Sequence, residues 1–224
     1  MQPVGGNFPA TGTAVPGSAG ATPSQLGAHS PEYTASQEQL FYMSEKMLSF
    51  GKDDFNIKDI NGHTVFKVDA SLLSMKGARA LTDAAKHTIL TLQHKLIGSG
   101  TWEIYRGNGS TGEKIAIIKK PHGLGKMASG HQHQGPVVGV HFASHAVGGG
   151  SINPDMVVVG DVMGKGYTIL QGSTMVAEVS RALAVSTSKF KLGGKDAYAV
   201  RVLPGVDCTF ILALAVIVDE LFHD

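Results

Sequence analysis

The 224-residue chain has a single cysteine, Cys208, a single tryptophan, Trp102, and only 17% charged residues. One thiol excludes an internal disulfide framework and any cysteine-cluster metal site, and it agrees with a reducing compartment. Formal charge is scarce too: 19 Lys and Arg against 18 Asp and Glu leave +1, so the strongly basic balance of a duplex nucleic-acid binder is missing. No cation occurs before Lys46, and residues 1–45 carry only Glu32, Glu38 and Glu45. A secretory signal needs a basic start and an apolar core, and a mitochondrial presequence needs arginines; neither is expected here. Long apolar runs are absent except for one of eleven residues near the end. Cytoplasmic residence, membrane-peripheral or nuclear at most, is therefore the expectation, with no specific nucleic-acid partner and a monomeric state.

What is present divides the chain in two. Residues 1–39 hold five of the nine prolines and almost no large apolar residue, too little to offset the entropy of ordering, so they read as a disordered tail. Residues 40–224 read as one domain of short apolar runs separated by turn residues, the texture of an all-β fold. Phe55–Ile60 and His63–Val68 flank Asn61-Gly62, whose two positive φ angles would make a type I′ hairpin. Further strands are expected near 40–43, 80–83, 88–93, 101–106, 113–119, 137–146, 156–162, 167–171, 174–180 and 197–203. About a dozen strands leave many open edges, and closure into a barrel removes them.

The eleven-residue run starts at Cys208 and carries Phe210, Ile211, Leu212, Leu214, Val216, Ile217 and Val218. As a helix it would rise about 16 Å, half of a bilayer core, so a transmembrane span is not expected. Asp207 is a suitable N-cap and the Leu and Ala content favours a helix, with a buried strand as the alternative. A helix apolar on all faces belongs inside something, and a barrel around it would satisfy both.

These same segments resemble the LURP-one-related (LOR) family, of the tubby C-terminal and phospholipid scramblase-like superfamily. The likeness runs through Phe55-x-Ile57-x-Asp59-x-Asn61-Gly62, Phe66-Lys67-Val68, Arg79-x-Leu81-x-Asp83-Ala84-Ala85 and Trp102-x-x-Tyr105-Arg106-Gly107. It closes with Tyr198-x-Val200-x-Val202, Pro204-Gly205-Val206-Asp207 and Asp219-Glu220, and so covers about residues 40–222. It implies a barrel of about twelve antiparallel strands around a central C-terminal helix. Where the family has a glycine-containing turn after Ala85, this chain has Lys86-His87, and residues 121–155 form an unusually Gly- and His-rich insertion or long loop.

No catalytic motif stands out: Gly-x-Ser-x-Gly, a Walker loop and His-Glu-x-x-His are all missing. A non-enzymatic module without a cofactor is expected. His131, His133, His141 and His145 have spacings that can share a strand face, a weak metal candidate because no carboxylate or thiolate accompanies them. Lys119, Lys120 and Lys126, with Lys189, Lys191 and Lys195, form two basic clusters that could meet anionic phospholipid headgroups. The resemblance supports that reading, since tubby-like domains bind phosphoinositides through a basic surface. Two alternatives stand beside it. One is a protein-interaction module working through the tail or the 121–155 segment; the other, from the scramblase relation, is lipid transfer. Trp102, Tyr105, Phe66 and Phe190 are read as core or barrel wall.

Overall fold

The structure, a computed structural model, describes residues 30–45, 55–69, 77–95, 100–109, 111–120, 136–145, 153–164, 166–181, 185–186, 191–192 and 197–222. Fourteen strands occur in them: β1 Gln39–Glu45, β2 Phe55–Lys58, β3 Thr64–Asp69, β4 Ala78–Asp83, β5 Thr88–His94, β6 Thr101–Arg106 and β7 Lys114–Lys119, then β8 Pro136–Phe142, β9 Met156–Asp161, β10 Gly166–Gln171, β11 Thr174–Arg181, β12 Val185–Ser186, β13 Lys191–Leu192 and β14 Ala197–Val202. Helix α1, Cys208–Phe222, ends the described chain.

Twelve strands close an antiparallel barrel in the order β1-β14-β11-β10-β9-β8-β7-β6-β5-β4-β3-β2. Every strand pairs with its neighbour in sequence, except that β11 passes to β14 around the small β12–β13 pair. The closing seam joins Leu40 to Arg201 and Met43 to Tyr198 in register. Period-two alternation drives this arrangement: Phe41 and Met43, Phe55 and Ile57, Leu90 and Leu92, Val138 and Val140 are buried residues of one cluster. Inside lies α1, whose residues 208–218 are all buried, as an all-round apolar helix requires. At 15 residues it is about 22 Å long, four residues beyond the apolar run. Among the described residues no helix is long and apolar enough to cross a membrane.

Three sequence expectations are corrected. Residues 30–38, assigned to the disordered tail, are seated on the barrel, because they gain backbone partners there: Ala35 N–H donates to Val206 O and Gly205 N–H to Ala35 O. Residues 1–29 lie outside the described residues. The strand expected near 137–146, inside the 121–155 segment, ends early, with β8 at Pro136–Phe142 and a 3-10 helix at Ala143–His145; residues 121–135 and 146–152 lie outside the described residues.

The third correction concerns turn chemistry. The β2–β3 connection is not type I′: Gly62 N–H donates to Asp59 O, Gly62 has φ +85° and Asn61 is not in the left-handed region. This is a three-residue loop whose glycine forms the bulge, and the register shifts by one residue at Lys58. The β4–β5 turn repeats it, with Lys86 N–H on Asp83 O and Lys86 at φ +69° in the glycine's place. In both, the leading aspartate's Oδ1 accepts the N–H of the closing histidine, His63 at 2.9 Å and His87 at 2.8 Å. A lysine pays about 1–2 kcal/mol for the left-handed region, partly offset by the entropy glycine loses on folding. Lys86→Gly is expected to stabilise the protein by about 0.5–1 kcal/mol and to raise Tm by about 1–4 °C in thermal unfolding.

Candidate functional site

Alternating strand direction assigns every connection to one of two barrel ends. The N-terminal end of α1 is sealed by the 30–38 strap. Asp207, 3% exposed, caps the helix there: its Oδ1 accepts from the N–H groups of Thr209 (2.9 Å) and Phe210 (3.2 Å) and from the Thr209 hydroxyl. Its Oδ2 accepts the Ser30 N–H at 2.8 Å, and Arg106 donates to the Ser30 hydroxyl at 2.9 Å. Burial pushes the Asp207 carboxyl above the usual range, against the pull of these hydrogen bonds. Burial likewise raises the neighbouring Cys208 thiol, which makes it a poor nucleophile.

At the C-terminal end of α1 the mouth is built from both walls. Arg79, on β4, meets Glu220 at 2.7 Å, and its guanidinium lies 5.3 Å from the centre of the Trp102 ring, which His94 flanks at 5.0 Å. Lys120 places its ammonium 4.2 Å from the centre of the Phe222 ring. Both cations also complement the negative end of the helix dipole. A narrow recess between α1 and the β10–β11–β14 wall, lined by Tyr167, Tyr198, Val218 and Asp219, is too tight for a water molecule.

Of the six lysines selected from the sequence, Lys119, Lys120 and Lys191 are described, each at a strand end or connection at this mouth. Lys119 is exposed at the end of β7, opposite Thr101. Lys120 is half-buried and engaged with Phe222, which gives it a structural role. Lys191 lies in β13, within the β11–β14 connection, four strand positions from β7, or roughly 20 Å along the rim. Lys119 and Lys191 thus belong to the same end of the barrel. Lys126, Lys189 and Lys195 lie outside the described residues.

Lys95 escaped the sequence reading because it stands alone there. Its N–H bonds the Thr101 carbonyl, one strand away from Lys119, so β-pairing brings it to the same rim. Among the described residues, the connections after β5, β7, β9 and β11 carry Lys95, Lys119, Lys120, Arg181 and Lys191 against Asp161 alone. The other two connections at this end add Glu45 and Asp69 among the described residues. At the opposite end, connections 58–64, 83–88, 106–114, 142–156, 171–174 and 202–207 carry four against five, and Glu32 and Glu38 of the strap add two more acids. Among the described residues the positive charge of these connections therefore falls on the arc from β5 to β11. The carboxylates of Asp219 and Glu220 moderate it at the centre, where Glu220 is paired with Arg79.

On the outer wall beside this arc, Glu103 accepts from Lys114 and from the Tyr105 hydroxyl, both at 2.6 Å, with Lys95 at 3.3 Å. Burial would raise its carboxyl, but the three donors together hold it below the usual range. Tyr105 is thus an outward wall residue tied to Glu103, whereas Trp102 and Phe66 face the core; Phe190 lies outside the described residues.

Of the four histidines weighed for metal, His141 is half-buried on β8 and His145 ends a short 3-10 helix at 143–145. His131 and His133 lie outside the described residues, among which no three metal-ligating side chains come together.

Comparison with known proteins agrees with this architecture. Residues 39–219 match the family model described as LURP-one-related. The chain is 28% identical to Protein LURP-one-related 10 of Arabidopsis thaliana over 198 residues, covering 86% of this chain and 94% of that protein. It is 27% identical to Protein LURP-one-related 15 of the same plant, covering 85% and 83%. An A. thaliana protein of known X-ray structure shares the fold with a TM-score of 0.63 at 21% identity, over 87% of this chain and 97% of that one. A twelve-stranded barrel threaded by its own C-terminal helix, with the matching motifs in order along the whole domain, makes this chain a member of the LURP-one-related family.

Proposed function

We propose that the protein is a non-enzymatic binding module that docks peripherally on anionic phospholipid headgroups through the basic arc of its barrel mouth. The observation that carries this reading is the set of described cations on one arc of the rim, Lys95, Lys119, Lys120, Arg181 and Lys191, against Asp161 alone. Each Lys or Arg near an anionic bilayer is worth about 1 kcal/mol, so several acting together give useful but salt-sensitive attachment. Lipid transfer of the scramblase kind draws no support from α1, whose apolar surface is already used inside the barrel.

Co-sedimentation with phosphatidylcholine vesicles, with and without phosphatidylserine or a phosphoinositide, tests it. Anionic vesicles should bring the protein down and neutral ones should not. Lys119→Glu with Lys126→Glu should weaken binding at least tenfold by reversing two charges, while Lys58→Glu at the opposite end leaves it unchanged. Equal sedimentation with neutral and anionic vesicles, or none with either, would sink the proposal. A protein-interaction module acting through the tail would instead lose its partner on deletion of residues 1–29, with lipid binding unaffected.

A further inference from the structure

Among the described residues two large apolar side chains stand in solvent, Ile60 at 58% and Met163 at 74% exposure. A single exposed apolar residue is ordinary on any surface, and only its position gives it meaning. Ile60 tips the β2–β3 turn at the strap end of the barrel, away from the basic arc. Met163 tips the β9–β10 turn at the mouth, in the middle of that arc. The ring order places Lys119, at the end of β7, on one side of it and Arg181, at the end of β11, on the other, each within about two strand spacings, or roughly 10 Å.

The turn presents this side chain outward for a local reason. Gly164 N–H donates to Asp161 Oδ1 at 2.9 Å, and a Cβ on Gly164 would collide with that carboxylate, so the loop is drawn tight across the end of the hairpin. Val162, the preceding residue, is 8% exposed and packs into the barrel core. One neighbour anchors the loop and the other holds its curvature. Asp161 is the turn's one acid, and one of its oxygens is engaged by the backbone of Gly164.

We infer that Met163 is a membrane wedge: when the basic arc docks on an anionic bilayer, this side chain enters the boundary between headgroups and acyl chains. The inference rests on the headgroup-binding reading and adds to it an orientation, barrel mouth down, with the β9–β10 turn leading. Electrostatic attraction alone holds a protein at the surface and is screened by salt within a Debye length of about 8 Å. An inserted apolar side chain adds attachment that salt does not screen.

The test uses the full chain with mixed phosphatidylcholine–phosphatidylserine vesicles. Met163→Ser should lower partitioning about tenfold, with most of the loss persisting at raised salt, and leave the thermal unfolding temperature unchanged. Met163→Trp should shift its emission to the blue on vesicle addition and be quenched by brominated acyl chains, measured against the wild type, whose one tryptophan is Trp102. Ile60→Trp should do neither. If Lys119→Glu with Lys126→Glu releases the protein while Met163→Ser binds like wild type and Met163→Trp stays unquenched, the wedge is overturned and headgroup binding stands. Failure of the wild type to bind any anionic vesicle overturns both.

Discussion

Phe210→Ala is expected to cost about 3–5 kcal/mol of folding stability and to lower Tm by roughly 6–20 °C. Phe210 is 1% exposed in the first turn of α1, with its ring 5.6 Å from that of Phe142 on β8. The loss has two parts, the transfer free energy of the ring and the cavity left behind. In an open sheet a strand could move towards the gap and recover some contact. Here every barrel strand is hydrogen-bonded on both sides around a closed ring, so inward movement of one strains its neighbours. The cost should therefore fall in the upper part of the range. Urea unfolding would show a lowered midpoint at unchanged slope. A loss under about 1 kcal/mol would mean that the helix does not fill the barrel.

Removing the Asp207 carboxylate should be almost as damaging, for a polar reason. Asp207→Ala takes away an N-cap, worth about 0.5–2 kcal/mol, and leaves buried N–H groups of Ser30 and Thr209 without their acceptor, at about 1–3 kcal/mol for an unsatisfied donor. The expected total is about 2–4 kcal/mol. Asp207→Asn separates the two duties. Its amide oxygen can still cap the helix, but its NH2 then faces the Ser30 N–H, donor against donor, so the strap should be released while α1 stays capped. Hydrogen exchange at Ala35 and Gly205, whose amide protons bridge strap and barrel, reads this directly. Faster exchange at both residues in Asp207→Asn, with protection retained inside α1, is the expected pattern. Loss of protection throughout α1 would show instead that strap and helix unfold as one unit.

The cap, the helix and most of the wall were legible because their signals are local. Asp207 before an apolar run, after Pro204-Gly205, is a helix start in any context. Eleven residues without a charge leave an interior helix little alternative once a dozen strands are needed around it. Strand positions followed the period-two pattern to within a few residues, and the resemblance to the LURP-one-related family pointed the same way. The turns were harder. Asn61-Gly62 is the favoured pair for a two-residue loop, yet Asp59 and His63 each bond across the turn and set a longer loop with a bulged glycine. Lys86 shows that the fold imposes the left-handed conformation even where the residue resists it.

The site was less legible, because adjacency in a barrel is not adjacency in sequence. Lys119 and Lys120 stood out as neighbours in the chain, but one is exposed at the rim and the other is engaged with Phe222, a distinction made by the helix end packing against the mouth. Lys95, isolated in the sequence, reaches the rim through the pairing of β5 with β6. Counting strand direction from one turn to the next would have found it, since each reversal moves the chain to the other end. The strap gave no comparable sign: Pro31, Tyr33 and Ala35 look like tail until Val206 and Gly205 offer Ala35 its backbone partners.

By itself, then, the sequence determined what each segment is: strand, cap, interior helix, and a chain whose charges nearly cancel. Those properties depend on neighbours within a turn or two, where side-chain periodicity and capping chemistry act. Only the tertiary structure decided where the charges go. Closure of twelve alternating strands sorts the connections to one end or the other, and so, among the described residues, lines Lys95, Lys119, Lys120 and Arg181 along one arc of the mouth and leaves Glu32 and Glu38 with the strap at the base. Net charge is a sum over the chain, whereas the field a partner meets is set by the geometry that separates its parts.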